Sequence, residues 1–313
     1  MFYNILNKNR GASPAATESE MGRYFKNVAE AQSLCEALAA PARIEIMRLV
    51  LSHRADSLDA LAKTLHLTNG AITQHVKKLC DAGLIRLVEA PGRHGVAKRC
   101  VPAVDRIIIE VAADLADAGS EVHEIALGAF TSASVNPYCA IATKDGWIGE
   151  RDDPRYFTYP ERAAAALIYF NSGKIGWTLP APPAKSKPKS IAVSLELSSK
   201  PYGFGQSRSS DIAFFLNDAK LGTASVDGEY VDRRGLFTPP SFDRVCQYGK
   251  YKTIKIDGAG TWFDGIKIGD FTVADINTDR LVFSLSTDNG VALFGGGYGD
   301  HDCGLRYRVE YAE

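Results

Sequence analysis

Between residues 57 and 79, apolar residues recur at helical spacing on both sides of a short interruption, and this pattern limits the folds open to the chain. Leu58, Leu61 and Leu65 fall on one face of a first helix, which Ser57 can cap. After a three-residue turn, Thr68 can cap a second helix whose inner face carries Ile72, Val76 and Leu79. Two short helices joined by so tight a turn predict a helix-turn-helix unit.

The flanking sequence predicts the rest of a small domain. Residues 29–39 and the segment that begins at Pro41 carry apolar residues at helical spacing, and proline suits a first helical turn because its missing N–H costs nothing there. Gly83 is expected to end the last helix. Residues 84–89 and 96–101 then predict two strands of a β-hairpin, and the turn between them and its flank are basic: Arg93, His94 and Lys98.

Three segments in this region resemble ArsR-type winged helix-turn-helix transcriptional regulators. Residues 34–50, with Ala-Ala-Pro-Ala-Arg-Ile-Glu-Ile-Met at their centre, resemble the opening of that domain. Residues 68–79 resemble the recognition helix, with Thr73-Gln74-His75 at the usual Ser-Gln-His position, and Asp81-Ala-Gly-Leu-Ile leads into the wing. The resemblance covers residues 29–104. It implies a homodimer that places its recognition helices in successive major grooves of operator DNA, usually as a repressor.

The second helix of the unit presents polar side chains opposite its apolar face. Glutamine and asparagine can pair bidentately with an adenine edge, and threonine can contact a base or a thymine methyl group. Lysine and histidine suit phosphates, which fix register without reading sequence. We therefore predict DNA contacts from this helix and the hairpin, made by Thr68, Asn69, Gly70, Thr73, Gln74, His75, Lys77, Lys78, Arg93, His94 and Lys98.

Charge supports this assignment weakly. Residues 31–104 carry ten Lys/Arg and six Asp/Glu, an excess of four positive charges. Residues 105–130 carry one Arg and six acids, an excess of five negative charges. A basic patch beside an acidic segment fits a DNA reader, but a helical hairpin with a solvated basic face would give the same count.

Residues 105–130 are predicted to be a linker and dimerisation helix. An apolar stripe runs along this segment at helical spacing, formed by Ile108, Val111, Leu115, Val122 and Ile125. A single small winged helix offers this stripe too few partners. We therefore expect it to pack against its copy in a homodimer.

The sequence departs from the metal sensors of the ArsR type, which carry a Cys-x-Cys pair in the third helix or Asp/His pairs on the dimer helix. The third predicted helix, residues 58–65, has no cysteine, and His123 has no second histidine partnered to it. We predict neither a metal site nor a cofactor. The six cysteines are scattered and lack a CxxC pair, which favours buried free thiols in a reducing compartment.

No apolar run approaches the ~20 residues of a membrane span, and the first thirty residues lack the basic start and apolar core of a signal peptide. We therefore predict a cytoplasmic protein that makes no membrane contact. Residues 1–23 are predicted to form a flexible tail, and residues 24–104 the winged helix-turn-helix domain.

The composition and the hydrophobic pattern of the sequence change at residue 131. Short apolar runs alternate with clusters of Gly, Pro, Asn and Asp, as in residues 191–197, 212–216, 281–285 and 305–309. Repeated short strands with turn signals predict a β-sandwich or jelly roll over residues 131–313. The fold class is therefore α+β multidomain, a mostly α winged helix-turn-helix followed by an all-β domain.

The β region more distantly resembles the C-terminal domains of bacterial regulators with the same kind of N-terminal DNA-binding domain. Tyr159-Pro-Glu-Arg, Asp211-Ile-Ala-Phe-Phe-Leu-Asn and Arg233-Arg-Gly-Leu-Phe carry that resemblance. Such domains look similar to jelly-roll carbohydrate-binding modules. Aromatic faces and paired polar groups suit a sugar ring, and we predict a small-molecule effector, with a sugar as the candidate, held by Trp147, Tyr159, Trp177, Asp211, Arg233, Arg234, Trp262 and Asp300. The alternative is that most of these aromatics fill the core.

Residues 131–313 carry 21 Lys/Arg and 22 Asp/Glu, which favours a neutral ligand. No Gly-x-Ser-x-Gly motif is present, and we predict a regulator without catalytic residues. Two alternatives stay open. The first is a β-sandwich enzyme that acts on glycosides and is fused to a DNA-binding head. The second is a β domain that serves only in dimerisation or protein docking.

Overall fold

The computed structural model describes residues 22–25, 28–92, 95–104, 106–109, 120–183, 186, 188–199, 209–228, 230–243, 245–276 and 280–311. The chain divides into two compact units, Ser33–Arg106 and Arg23–Gln32 together with Ile107–Glu313. The first is mostly helical and the second is built of β-sheet, so the predicted α+β multidomain class is confirmed.

The described N-terminal part consists of a short strand, four helices and a hairpin. They are β1 (Gly22–Phe25), α1 (Gln32–Leu38), α2 (Pro41–Leu51), α3 (Leu58–Leu65), α4 (Asn69–Asp81), β2 (Ile85–Gly92) and β3 (Gly95–Pro102). Pro41 opens α2, as predicted. The predicted apolar stripes form the core of this unit, where Ile46, Leu61, Ile72 and Leu79 are fully buried. Among the described helices, none is both long and apolar enough to span a membrane.

The second unit is built from strands and short 3-10 turns. The strands are β4 (Arg106–Ile109), β5 (Ser120–Ile125), β6 (Ser132–Val135), β7 (Cys139–Thr143), β8 (Gly146–Trp147), β9 (Leu167–Phe170), β10 (Gly173–Leu179), β11 (Pro188–Ser198), β12 (Ser210–Leu216), β13 (Ala219–Val226), β14 (Lys250–Asp257), β15 (Gly260–Phe263), β16 (Ile266–Gly269), β17 (Leu281–Thr287), β18 (Val291–Phe294) and β19 (Leu305–Tyr311). The 3-10 turns are Leu127–Ala129, Pro154–Thr158, Pro160–Ala164 and Val273–Asp275. All four apolar runs predicted as strands lie within β11, β12, β17 and β19.

In the described part of the chain these strands form two large sheets. One has five strands in the order β13-β12-β17-β10-β6. The other has ten, with the path β16-β15-β14-β11-β18-β9-β7-β8 and with β5 and β19 joined to it through β11. Alternate residues of both sheets point into one shared core, which contains Trp177, Phe214 and Phe283 from the first sheet and Ile168 and Val193 from the second. The second unit is therefore a β-sandwich.

The segment predicted as a dimerisation helix is extended where the structure describes it. Residues 106–109 form β4, which pairs with β1, and residues 120–125 form β5, which pairs with β19. The helix prediction at these positions is wrong, because β-branched residues such as Ile108 and Val122 suit a strand once a partner strand is present. Val111 and Leu115 lie outside the described residues. Of the predicted tail, residues 1–21 also lie outside, whereas Gly22 and Arg23 belong to β1.

Candidate functional site

Helices α3 and α4 form the predicted helix-turn-helix, and side-chain caps define both of their starts. The Ala60 N–H donates to Ser57 Oγ at 3.2 Å, and the Ala71 N–H donates to Thr68 Oγ1 at 3.2 Å. His66 follows the last residue of α3 and adopts a left-handed conformation. The apolar faces of the two helices are buried, so the position of α4 is fixed by the core.

Helix α4 exposes the predicted row of polar side chains. Thr73, Gln74, Lys77 and Lys78 are exposed, and His75 is half-buried. The Thr73 hydroxyl donates to the Asn69 carbonyl at 2.8 Å, within the helix itself. Within the described part of the chain, the Gln74 amide has no hydrogen-bond partner, so it is the side chain of this row best placed to bind a base edge.

Asn69 makes a contact within the protein that its residue type does not predict. Its amide nitrogen donates to Asp59 Oδ1 at 3.0 Å, which ties the start of α4 to the first turn of α3. Thr68 and Gly70 lie beside it and are exposed. This hydrogen bond uses one of the two hydrogens of the amide nitrogen. Asn69 therefore positions the start of α4, and its contact with DNA stays a prediction; the sequence offered no signal that Asp59 would face it.

The hairpin β2–β3 is fastened to the start of α3. The Arg99 guanidinium donates to Asp56 Oδ2 at 2.7 Å, and the Cys100 N–H donates to the Asp56 carbonyl at 2.6 Å. Lys98 is exposed and pairs in register with Glu89. The other two predicted contacts of the wing, Arg93 and His94, lie outside the described residues.

Arg43 holds α1 to α2 from inside the helical unit. It is only 8% exposed, although it is charged. Its guanidinium donates to the Ala37 carbonyl and, at 2.9 Å, to the Glu36 carbonyl at the end of α1. A cation suits the carbonyl end of a helix, where the helix dipole is negative. Sequence reasoning missed this role, because an arginine in an amphipathic helix gives no sign of burial.

In the sandwich, the structure brings two of the predicted ligand residues together. Arg233 and Asp300 form a bidentate ion pair, with N–O distances of 3.0 Å and 2.5 Å. The hydrogen bonds to Asp300 raise the pKa of Arg233. The guanidinium also lies 3.6 Å from the centroid of the Tyr248 ring. Burial, together with a hydrogen bond to Asp232, raises the pKa of Tyr248 to about 12.

Among the other predicted ligand residues, Arg234 adjoins this pair, since its carbonyl accepts a hydrogen bond from the Arg233 guanidinium at 3.1 Å, and the rest are dispersed. Trp177 is fully buried and its indole N–H donates to the Leu127 carbonyl at 2.9 Å, so we reassign it from the ligand set to the core. The indole N–H of Trp262 donates to Asp257 at 3.0 Å. The remaining four lie partly or fully at the surface, namely Trp147, Tyr159, Asp211 and Arg234.

Glu196 is a further polar centre that sequence reasoning missed. It is fully buried, and its carboxyl oxygens accept hydrogen bonds from the backbone N–H groups of Gly249, Asp300 and His301. His301 Nδ1 lies 2.9 Å from Oε2 of Glu196. The ring of His301 stacks on Tyr251, with 4.5 Å between centroids. In the sequence, Glu196 occupies an outward strand position that could equally have faced solvent.

All six cysteines are free, but only Cys100, Cys139 and Cys246 are buried, and Cys35 is exposed, so the prediction of buried thiols holds in part. Burial raises the pKa of Cys100 and of Cys139 to about 11. Over the described ranges, no group of three or more His, Cys, Asp or Glu side chains could hold a metal ion.

Comparison with known proteins identifies the helical segment. Residues 43–86 match the family described as winged helix-turn-helix DNA-binding. No curated protein matches the sequence. Among solved structures, the chain is similar to the one titled "Crystal structure of Agl-KA catalytic domain", with 10% identity and a TM-score of 0.23 over 62% of this chain and 27% of that chain. The chain thus spans about a quarter of that structure, and so low a TM-score supports no conclusion about shared fold or activity.

The family match includes most of α2, all of α3 and α4, and the start of β2, and α4 is the helix that exposes Gln74 and Lys77. The protein therefore contains a winged helix-turn-helix DNA-binding domain at residues 43–86, followed by a largely β C-terminal region.

Proposed function

We propose that the protein is an ArsR-type transcription regulator that reads operator DNA with α4 and senses a small ligand, with a carbohydrate as the candidate, through its β-sandwich. One observation carries the DNA-reading part: the exposed row Thr73, Gln74 and Lys77 on a capped helix within the matched segment. A helix that buries one face and exposes such a row is suited to the major groove.

The residues of this helix divide into two roles. Gln74, whose amide lacks an intramolecular partner among the described residues, reads a base edge. The hydroxyl of Thr73 is bonded within the helix, which leaves its methyl group for a thymine methyl. Lys77 and Lys78 bind phosphates, as does Lys98 on the wing, and these contacts set register and salt dependence.

The sensing role rests on the residue types of the sandwich and on its fusion to a DNA-binding domain. A ligand can change DNA binding only if it binds one arrangement of the protein better than another. Repression and a homodimeric state belong to the proposal on the strength of the ArsR resemblance alone. The apolar stripe first expected to form the dimer interface no longer supports it, because Ile108 and Val122 lie in strands.

The test is selection of DNA from a random pool by the full-length protein, followed by titration of the selected sequence and of random DNA. Replacing Gln74 with Ala should cost about 1–3 kcal/mol on selected DNA and leave random DNA unaffected. Replacing Lys77 with Ala should weaken binding to selected and to random DNA alike. It should also reduce the slope of log affinity against log salt concentration by about 1.

Lys220, an exposed lysine on β13, provides the matched control: Lys220→Ala should change neither affinity nor salt slope. An equal loss of affinity on selected and random DNA for Gln74→Ala would overturn the base-reading role. Failure of the pool to yield any enriched sequence would overturn the function as a regulator.

A further inference from the structure

An open cavity of about 350 Å³ lies at the five-stranded sheet of the sandwich. Its polar lining consists of Ser132, Lys174, Asn217, Asp218, Arg280 and Ser284. None of these belongs to the ligand set predicted from the sequence. The volume suits a ligand of the size of a sugar ring with one substituent.

The cavity follows from the register of the sheet. Phe215, Ser284, Gly176 and Ser132 stand side by side on four adjacent strands, on the face turned away from the core. Gly176 has no side chain, and a Cβ there would lie 2.9 Å from Ser132 Oγ and 3.0 Å from Ser284 Cβ. The glycine therefore leaves a depression between larger neighbours, with a serine on either side.

Ser284 gives the cavity its strongest indication of a ligand. The residue is only 2% exposed, although its side chain is on the outer face of the sheet. Within the described residues its hydroxyl has no hydrogen-bond partner. Buried hydroxyls in native proteins are nearly always paired, so an unpaired one at the wall of a cavity indicates a partner that is supplied from outside the chain.

Lys174 explains why this hydroxyl is shielded from water. Its ammonium lies 4.2 Å from the centroid of the Phe215 ring. Lys174 is on β10 and Phe215 is on β12, with β17 between them, so the lysine side chain crosses the strand that carries Ser284. A ligand anion that attracts this ammonium would uncover the hydroxyl and provide its missing partner.

Two further side chains complete the arrangement. Asn217 Oδ1 accepts a hydrogen bond from the Val282 N–H at 2.9 Å, which directs the oxygen to the backbone and leaves the amide nitrogen to donate to a ligand. Arg280 is exposed and lines the same cavity, as does Asp218.

We propose that this cavity binds a small hydroxylated ligand with one anionic group, namely a sugar phosphate or a sugar acid. Lys174 pairs with the anion, and Ser132, Asn217 and Ser284 bond the hydroxyls. The assignment deepens the proposed sensing function and depends on it for its biological role. It replaces the neutral ligand expected from the overall charge, because the ammonium of Lys174 lies over the strand that carries the unpaired Ser284 hydroxyl.

The test is titration calorimetry of the full-length protein with hexose phosphates and hexuronates. The parent hexoses and inorganic phosphate are the comparison arms, and the two charged series distinguish a phosphate ligand from a carboxylate ligand. We expect at least one charged sugar to bind at least tenfold more tightly than its parent hexose and than inorganic phosphate. The proposal is overturned if no charged sugar binds, or if a parent hexose binds equally well.

Two variants locate the site. Ser284→Ala and Lys174→Met should each weaken binding at least tenfold. Ser284→Ala should leave the melting temperature without ligand unchanged or raised, since it removes an unpaired buried hydroxyl; a purely structural serine would lower it. Ser286→Ala, on the same face two residues along the strand and outside the lining, is the matched control and should bind normally.

A DNA titration with and without the bound sugar separates this inference from the proposed function. If the sugar binds and the affinity for DNA does not change, the cavity assignment stands and the sensing function is overturned. Sequence-specific DNA binding with no charged sugar bound overturns the cavity assignment and leaves the regulator.

Discussion

The buried Glu196 side chain fastens two long loops to the outer face of the ten-stranded sheet. One loop provides the N–H of Gly249, and the other provides the N–H groups of Asp300 and His301. Gly299 is needed beside it, because its φ is +88° and a Cβ there would lie 2.5 Å from Glu196 Oε1. The same loop residue Asp300 holds Arg233, so the geometry of that ion pair depends on Glu196.

Replacing Glu196 with Gln should lower the free energy of unfolding by about 3 kcal/mol. The glutamine amide has nearly the same volume as the carboxyl group. At either oxygen position, however, its NH₂ group would face a backbone N–H, and that N–H would lose its acceptor. Chemical denaturation of the full-length protein measures this change. Glu161→Gln, at an exposed glutamate, is the control and should stay within about 0.5 kcal/mol of the parent protein. A similar small change for Glu196→Gln would show that the carboxyl group is dispensable.

Individual side chains were the least predictable part of the molecule. The exposure of Gln74 and Lys77 follows from helical periodicity, because the apolar face of α4 leaves them no other direction. The core position of Trp177 and the pairing of Asn69 with Asp59 depend on contacts between segments whose approach cannot be read from residue type. The same holds for the Ser284 cavity, which arises from the register of four strands.

At the scale of elements, local signals were sufficient for the helices and the hairpin of the N-terminal unit. Proline at the start of α2 and the caps Ser57 and Thr68 act within a few residues of the chain. The segment after residue 105 shows the limit of such signals. Its isoleucines and valines have helical spacing, but β4 and β5 owe their extended form to partner strands distant in sequence.

Helix α3 allows a direct test of one local signal. Ser57→Ala removes the acceptor for the Ala60 N–H and should lower the free energy of unfolding of the N-terminal unit by about 1 kcal/mol. Ser57→Asp keeps an acceptor at the same place and should retain most of the stability. Denaturation followed by helical circular dichroism compares the two. Equal stability of the Ala and Asp variants would mean that the cap contributes nothing.

At the scale of the whole molecule, each unit has a hydrophobic core of its own. Ile72 is fully buried in the helical unit, and Phe283 is 1% exposed in the core of the sandwich, where its ring stacks on Phe214. A unit with its own core can unfold as a separate cooperative step, so a single transition is not expected for the full chain.

We predict two calorimetric transitions, each sensitive to one core. Ile72→Ala should destabilise only the transition of the helical unit, by about 2–5 kcal/mol, because the truncation leaves a cavity among α2, α3 and α4. Phe283→Ala should destabilise only the transition of the sandwich, by about 3–5 kcal/mol. Each variant is the control for the other. Selected operator DNA should raise the transition temperature of the helical unit only, because ligand binding stabilises the unit that holds the binding site. A single transition that both variants shift equally would mean that the two cores unfold as one cooperative unit, so that stabilisation by DNA would extend to the sandwich.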